Sequence, residues 1–249
     1  MRQIQSSQFR YLLAFALLAL FLAPLAGLAA EEKPIAMEAD YPGKYRLVWY
    51  FHQGDQSMEQ PFKVLTHNKE LVIFPDIKPP SINSMMLLEN SQVNPGEDVL
   101  DMGTGSGLHA VFAAEQARRV VATDIEPHAV ENARKNAELN GVAGKIDFRV
   151  GDLFAALKED EKFDVIYWNI AYPFGEATLG RWKLHERFFA GVRSHLKPRG
   201  RIYYQVGFLR NIPYILDMLQ RNGLIIMRMN MVNAPVYGRE PITMLIQAN

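Results

Sequence analysis

The sequence predicts an α/β fold: a parallel β-sheet with helices on both faces, preceded by a small β-arm. Three observations predict it. Val99-Leu100 is a short apolar run that ends in Asp101, is followed by Gly103, Gly105 and Gly107, and gives way to an apolar helical pattern from Leu108. That is a strand, a tight turn and a helix start, since glycine takes positive φ and lets a ligand approach the main chain closely. Strand-like and helix-like segments then alternate to the C-terminus, and repeated β-then-α units give a parallel sheet. A polar residue ends each of the first four strands of this series: Asp101, Asp124, Asp152 just past the third, and Asn169.

The elements follow in order. Glu31–Gly43 is polar with two prolines and reads as a linker. Tyr45–His52 and Phe62–Phe74 are rich in β-branched and aromatic residues around a polar turn, Gly54–Ser57, and predict a β-hairpin or small β-arm. Pro75, Pro79 and Pro80 make a stiff connection. Ser81 then caps a helix running to about Ser91, with Met85, Leu88 and Met86 inward. After the glycine turn, Arg119–Thr123 is a second buried strand ending at Asp124. Pro127–Leu139 is a helix with Ala129, Val130, Ala133 and Ala137 on one face, stopped by Asn140-Gly141. Ile146, Phe148 and Val150 alternate as a third strand, which runs into Gly151-Asp152-Leu153-Phe154. Phe163–Trp168 is the fourth strand. Lys197–Gly200 reads as a turn and Arg201–Val206 as the fifth strand. Asn211 caps a helix carrying Ile215, Leu216 and Leu219, and Gly223 ends it. Leu224–Val232 and Thr243–Gln247 pair as a terminal hairpin.

Composition bounds the function classes. The chain has 249 residues, 49% of them hydrophobic, enough for one domain of about 200 residues plus an N-terminal extension. Net charge is zero, so the overall field points to no nucleic-acid partner. With no cysteine there are no disulfides, thiolate metal sites or cysteine nucleophile. The histidines show no metal-ligand spacing, and no metal site is expected.

The N-terminus reads as a targeting segment. Arg2 and Arg10 precede the uncharged run Tyr11–Ala30, and Glu31-Glu32-Lys33 follows. Leu12–Ala23 has the length of a signal-peptide apolar region, and Gly27-Leu28-Ala29 offers small residues for cleavage. The same run also spans a bilayer if retained. A third option is a later start, with Met37 as its candidate. Either of the first two places residues after Ala30 outside the cytoplasm.

Taken together, the spacing of Asp101, Gly103, Gly105 and Gly107 resembles motif I of the class I S-adenosylmethionine methyltransferases, and the resemblance covers roughly Ser81–Asn249. Dinucleotide loops read G-x-G-x-x-G, whereas Leu108 follows Gly107 here, which counts against a nicotinamide enzyme. The resemblance implies a Rossmann-like seven-stranded sheet of order 3-2-1-4-5-7-6 with the last strand antiparallel. It further implies that S-adenosylmethionine is held by Asp101, Gly103, Thr104, Gly105, Gly107, Asp124, Ile125, Asp152, Leu153 and Asn169. Asp124 takes the ribose hydroxyls, Asp152 meets the adenine amine and Leu153 packs on the ring. The implied domains are 1–30 as signal peptide or membrane anchor, 31–80 as linker and β-arm, and 81–249 as the methyltransferase domain. Since that cofactor is made and kept in the cytoplasm, the N-terminus and the domain point to different compartments.

Within the family, enzymes that methylate planar nitrogens carry Asn/Asp-Pro-Pro-Tyr/Phe after the fourth strand. This chain has Asn169-Ile170-Ala171-Tyr172, keeping the N-x-x-Y register without either proline. The resemblance, most marked to protein-glutamine and ribosomal RNA guanine N-methyltransferases, implies Asn169 and Tyr172 as catalytic residues. Asn169 accepts hydrogens of the target NH₂ and Tyr172 stacks on its plane. The acceptor itself is a protein, an RNA or a small molecule. Two alternatives stay open: methylation of a small-molecule oxygen or nitrogen, and a non-catalytic binding protein of this fold outside the cytoplasm.

The remaining candidates have plainer readings. His109 is a packed or surface histidine rather than a general base, and His128 is solvated. The basic stretch Arg181–Arg201 is a solvated helix face or a contact for phosphates or an acidic protein, and Trp49-Tyr50-Phe51 packs the β-arm onto the domain or lines a substrate cleft.

Overall fold

The computed structural model describes residues 35–40, 46–51, 62–66, 68–173, 176–231 and 242–249. The targeting segment expected at residues 1–30, the Gly54–Ser57 turn and the side chains of Trp49, Tyr50 and Phe51 lie outside the described residues. Among the described residues, no helix is long and apolar enough to cross a membrane.

The β-arm is a four-stranded antiparallel meander: β1 (Ile35–Asp40), β2 (Arg46–Phe51), β3 (Phe62–Thr66) and β4 (Lys69–Ile73), in that spatial order. This corrects two expectations. The supposed linker contains β1, which pairs with β2 in full register from Ile35↔Phe51 to Asp40↔Arg46. Its two acids make it read polar, and its partner strand supplies the pairing that local composition hides. Phe62–Phe74 is two strands rather than one, with Phe62 opposite Ile73.

Helix α1 (Ile82–Glu89) leads to β5 (Asp98–Met102), α2 (Leu108–Gln116), β6 (Arg119–Asp124), α3 (Pro127–Leu139) and β7 (Ile146–Val150). Then come β8 (Phe163–Trp168), α4 (Trp182–Val192), β9 (Leu196–Val206), α5 (Ile212–Arg221), β10 (Leu224–Met231) and β11 (Ile242–Ala248). The main sheet has the order β10-β11-β9-β8-β5-β6-β7. Read from β7, this is the expected 3-2-1-4-5-7-6, with β11 antiparallel to both neighbours. Every residue of β5 is buried, as a central strand covered on both faces requires.

Alternation along the strands divides the core. Leu100, Met102, Ile166, Trp168 and Ile202 face Phe188, Phe189 and Val192 of α4 and Ile215, Met218 and Leu219 of α5. Val99, Val120, Ala122 and Val165 face Leu87 of α1 and Ala110, Val111 and Ala114 of α2. The expected turn Lys197–Gly200 is a bulge inside β9, where Phe163 pairs with Leu196 but Val165 pairs with Arg201. Arg199 takes φ 64° there. Asn211 precedes α5 but makes no side-chain cap. Its Nδ2 instead donates to the Pro173 carbonyl at 3.3 Å, which ties α5 to the loop after β8.

The meander docks through Val64, Leu71 and Ile73, which pack on Met85 of α1 and Leu108 of α2. Its β4 edge is closed by two asparagines of α3 and by Asn140 at the C-terminal end of that helix. Asn132 Oδ1 accepts from Phe74 N at 3.2 Å, Asn136 Oδ1 accepts from Val72 N at 2.7 Å, and Asn140 Nδ2 donates to Glu70 O at 2.8 Å. A helix thus completes the hydrogen bonding of an exposed strand edge.

Candidate functional site

The site lies where the parallel strands end. Gly103, Gly105 and Gly107 have φ of 73°, 53° and 81°, and each has a different reason to be glycine. A Cβ at Gly103 would overlap Ile170 Cδ1. One at Gly107 would sit 2.8 Å from Ala133 Cα, so this glycine lets α2 start against α3. One at Gly105 would meet nothing within 4 Å, so the middle glycine borders open space.

Two acids brace this loop. Asp101 is buried and accepts from Thr104 Oγ1 at 2.7 Å and from Ala110 N at 3.1 Å. Burial pushes its carboxyl up from the ordinary range, against the favourable hydrogen bonds and the nearby His109. Asp124 Oδ2 accepts from Gly105 N at 3.0 Å, and its Oδ1 accepts from Glu126 N at 3.1 Å. A carboxylate has about four acceptor positions, so these bonds leave Asp124 about two for a ligand's hydroxyls. The Asp124 carbonyl also accepts from Gly151 N at 2.9 Å, which joins the ends of β6 and β7.

A cleft of about 200 Å³ opens beside the loop. Gly103–Ser106, Asn169–Tyr172, and Asn83, Ser84 and His109 line much of it. Of the residues expected at the site, it brings together Gly103, Thr104, Gly105, Asn169 and Tyr172. Asp124 reaches it only through its bond to Gly105, and Gly107 and Asp101 sit behind the loop. Ile125 is 58% exposed beside Asp124. Asp152 pairs with Arg187 of α4 at 2.6 Å, and both side chains are open to solvent. Leu153 takes φ 51°, a conformation that is costly for a side chain with a Cβ.

Asn169 Nδ2 donates to Ser84 Oγ at 3.2 Å, which orients the amide. Its Oδ1 accepts nothing among the described residues. Tyr172 is not a free stacking surface. It is buried, edge-on to Phe208 at 5.9 Å, and its hydroxyl accepts from Asn83 Nδ2 at 2.9 Å. Gly207 leaves room for that hydroxyl, where any Cβ would collide with it. The N-x-x-Y register places Tyr172 in the loop, but packing against Gly207 and Phe208, just after β9, turns its ring inward.

Helix α1, expected only to pack, also supplies residues to the cleft. Ser84 Oγ receives N–H bonds from both Ser81 and Asn169, leaving its own proton to give. Asn83 Oδ1 is buried without a partner among the described residues. A polar pair, Asn83-Ser84, at the start of an apolar helix is the only sequence signal for them. His109 is packed, as expected, stacked on Tyr167 at 5.2 Å with Nε2 near Ser84 O at 3.2 Å. Burial holds its pKa below the ordinary value. His128 is exposed, with Nε2 3.2 Å from Pro75 O.

Within the basic stretch Arg181–Arg201, Arg181, Lys183, Arg187, Arg193 and Arg199 are exposed, as expected of a solvated face. Besides Arg187, Lys197 pairs with Asp98 and Asp164 at 2.7 Å each, and Arg201 pairs with Glu97 at 2.7 Å. His185, within this stretch, is fully buried under the loop. Its Nδ1 meets Trp168 Nε1 at 3.1 Å and Tyr204 Oη at 3.0 Å, and its Nε2 meets Ala171 O at 3.3 Å. Burial lowers its pKa to about 4. Among the described residues, no group of three or more His, Cys, Asp or Glu is placed to hold a metal ion.

The chain is similar to known proteins. A family model described as a methyltransferase domain matches residues 93–222. A ribosomal protein L11 methyltransferase of Caldicellulosiruptor bescii is 47% identical over 91 residues, 35% of this chain and 29% of its own. A putative protein N5-glutamine methyltransferase of Methanocaldococcus jannaschii is 38% identical over 104 residues, 41% of this chain and 51% of its own. The chain therefore spans about half or less of these relatives. The crystal structure of a ribosomal protein L11 methylase from Lactobacillus delbrueckii subsp. bulgaricus superposes with a TM-score of 0.57 at 27% identity, covering 71% of this chain and 84% of that one.

Proposed function

This chain belongs to the methyltransferase domain family, and from that premise we propose that it transfers a methyl group from S-adenosylmethionine to a planar amide or nucleobase nitrogen. The observation that carries the reading is the meeting of Asn169 with the glycine loop in one cleft, its amide oxygen unused among the described residues. The name of the N5-glutamine methyltransferase relative points to the same kind of nitrogen.

The residues present fit the cofactor. Gly105 borders open space at positive φ, so its backbone can be approached closely. Asp124 retains acceptor capacity for ribose hydroxyls, and Asp152 keeps one oxygen beyond its bond to Arg187. The exposed Ile125 and the strained Leu153 offer apolar surface to an adenine ring. When bound, S-adenosylmethionine supplies a methyl group on a sulfonium whose positive charge activates the leaving group.

The protein's task is then positioning, worth roughly 7–11 kcal/mol of barrier where geometry is held well. Asn169 Oδ1 and the Ile170 carbonyl accept the two hydrogens of the acceptor NH₂, leaving the nitrogen lone pair free for the methyl. Ser84 fixes the Asn169 amide so that its oxygen, not its nitrogen, serves the acceptor. Tyr172 supports the loop from beneath rather than stacking on the acceptor. The run Tyr11–Ala30 we read as an export signal or anchor on its sequence alone.

Methyl-tritiated S-adenosylmethionine, offered with a glutamine peptide, an RNA oligonucleotide and a small primary amide, tests the proposal. Label should pass to one of these, and Asn169→Ala should slow transfer by about 100- to 1,000-fold while cofactor affinity stays within about twofold. An unchanged rate in that variant would remove Asn169 from the chemistry.

A further inference from the structure

We propose that His185 is the positioning residue of the acceptor loop, a hydrogen-bonded staple that holds Asn169 and Ile170 from both sides. The inference rests on the reading of Asn169 given above and adds the means by which its loop is kept in place.

The neighbours of this ring fix its protonation. The indole N–H of Trp168 can only donate, and it points at His185 Nδ1 from 3.1 Å. Nδ1 therefore carries no hydrogen, and its one lone pair is shared between this indole N–H and the Tyr204 hydroxyl, 3.0 Å away. The neutral ring's proton sits on Nε2, which donates to the Ala171 carbonyl at 3.3 Å. Trp168 immediately precedes Asn169, and Ala171 immediately follows Ile170. One imidazole thus grips the chain on either side of the two residues that face the acceptor.

Close packing restrains the ring that makes this grip. His185 is fully buried, edge-on to Trp168 at 5.7 Å and to Trp182 at 5.5 Å. Other side chains secure the next two residues of the loop. Arg181 Nη1 donates to the Tyr172 carbonyl at 3.4 Å, Asn83 holds the Tyr172 hydroxyl, and Asn211 holds the Pro173 carbonyl. With the carbonyls of Ala171, Tyr172 and Pro173 occupied, the Ile170 carbonyl and Asn169 Oδ1 are left without partners among the described residues. Those are the two acceptors the proposed chemistry needs. Proline rings stiffen a chain by fixing φ; this loop lacks prolines at positions 170 and 171 and is stiffened by side chains of distant elements instead.

Two substitutions separate the staple from ordinary packing. His185→Asn keeps an acceptor for Trp168 and Tyr204 but falls short of Ala171, whereas His185→Gln places an amide N–H where Nε2–H was. Hydrogen exchange over residues 169–173 should accelerate about tenfold or more in the Asn variant, with the rest of the main sheet unchanged, and return towards the native rate in the Gln variant. Where turnover is measurable, the Asn variant should lose about 10- to 100-fold in kcat with S-adenosylmethionine Kd held within about twofold. Native exchange over 169–173 in the Asn variant would overturn the staple, as would acceleration spread over the whole sheet or an equal effect of Asn and Gln. The exchange measurement needs no acceptor, so it decides the staple even where every acceptor fails and the reading of Asn169 falls.

Discussion

Adding one methyl group at Gly105 or at Gly107 should harm the protein in opposite ways. Both residues sit at positive φ, so alanine at either costs about 1–2 kcal/mol for the left-handed conformation. At Gly107 the new Cβ also lies 2.8 Å from Ala133 Cα and 2.9 Å from Ala133 Cβ. Backbone of α3 must give way, which adds about 1–3 kcal/mol. Gly107→Ala should therefore lose about 2–5 kcal/mol, or about 10 °C in Tm at roughly 2–4 °C per kcal/mol. At Gly105 the Cβ meets nothing within 4 Å, so stability should fall only by the conformational cost. The open space it enters is where the cofactor is expected to approach, and S-adenosylmethionine should bind about 10- to 100-fold more weakly, an overlap of about 1–3 kcal/mol. Urea unfolding and calorimetric titration of both variants read the two quantities separately. Native affinity in Gly105→Ala would refute the loop as cofactor floor, and equal stability loss in the two variants would refute the packing argument for Gly107.

Other outcomes follow from the same geometry. Asn136→Ala leaves Val72 N–H and the Ser106 carbonyl without a bond, and urea unfolding should show a loss of about 3 kcal/mol. Asp152→Ala should weaken S-adenosylmethionine binding about tenfold with little change in stability, because its pairing with Arg187 is solvent-exposed and worth about 0–1 kcal/mol; unchanged affinity would detach Asp152 from the adenine amine. His185 has its pKa lowered by burial to about 4, so the folded state binds its proton less readily than the unfolded chain does. Its contribution is present in full above about pH 6.5 and is lost as pH falls from there towards 4, about 3 kcal/mol in total at about 1.36 kcal/mol per unit. Comparing the pH dependence of unfolding in wild type and His185→Gln isolates that window. Cell fractionation with an antibody to the methyltransferase domain should find it in a membrane or exported fraction; recovery wholly in the cytoplasm would overturn the targeting reading of Tyr11–Ala30.

What could be read from sequence was what is written locally. The glycine spacing and the polar strand ends marked β5, β6 and β8, because each strand is a short apolar run closed by a polar or glycine turn, while the order of the main sheet came from the resemblance to the class I methyltransferases. Ala129, Val130, Ala133 and Ala137 marked the inward face of α3 correctly. The same helix buries Asn132 and Asn136 completely, which its periodicity hides, since their partner is the backbone edge of β4 far away in sequence. β1 was missed because its stability comes from pairing with β2.

At the site, the motif located Asn169 and Tyr172 but did not show which way they face. Tyr172 turns inward because Gly207 leaves a hole for it and Asn83 meets its hydroxyl. His185 drew attention only as a histidine without ligand spacing. The role proposed for it depends on Trp168 and Ala171 around the end of β8 and on Tyr204 of β9, two segments that the fold brings against α4. Asn83 and Ser84 reach the cleft because α1 packs beside the glycine loop, a matter of tertiary position and not of motif.

The central claim is that the cleft between the glycine loop and Asn169 binds S-adenosylmethionine with the help of Asp124. Calorimetric titration of the protein with S-adenosylmethionine, repeated on Asp124→Ala, tests it most directly. The account predicts saturable binding in the micromolar range, weakened about 100-fold or more in the variant, since Asp124 both braces Gly105 and serves the ribose. Absence of binding by the folded protein, or equal affinity in the variant, would contradict it.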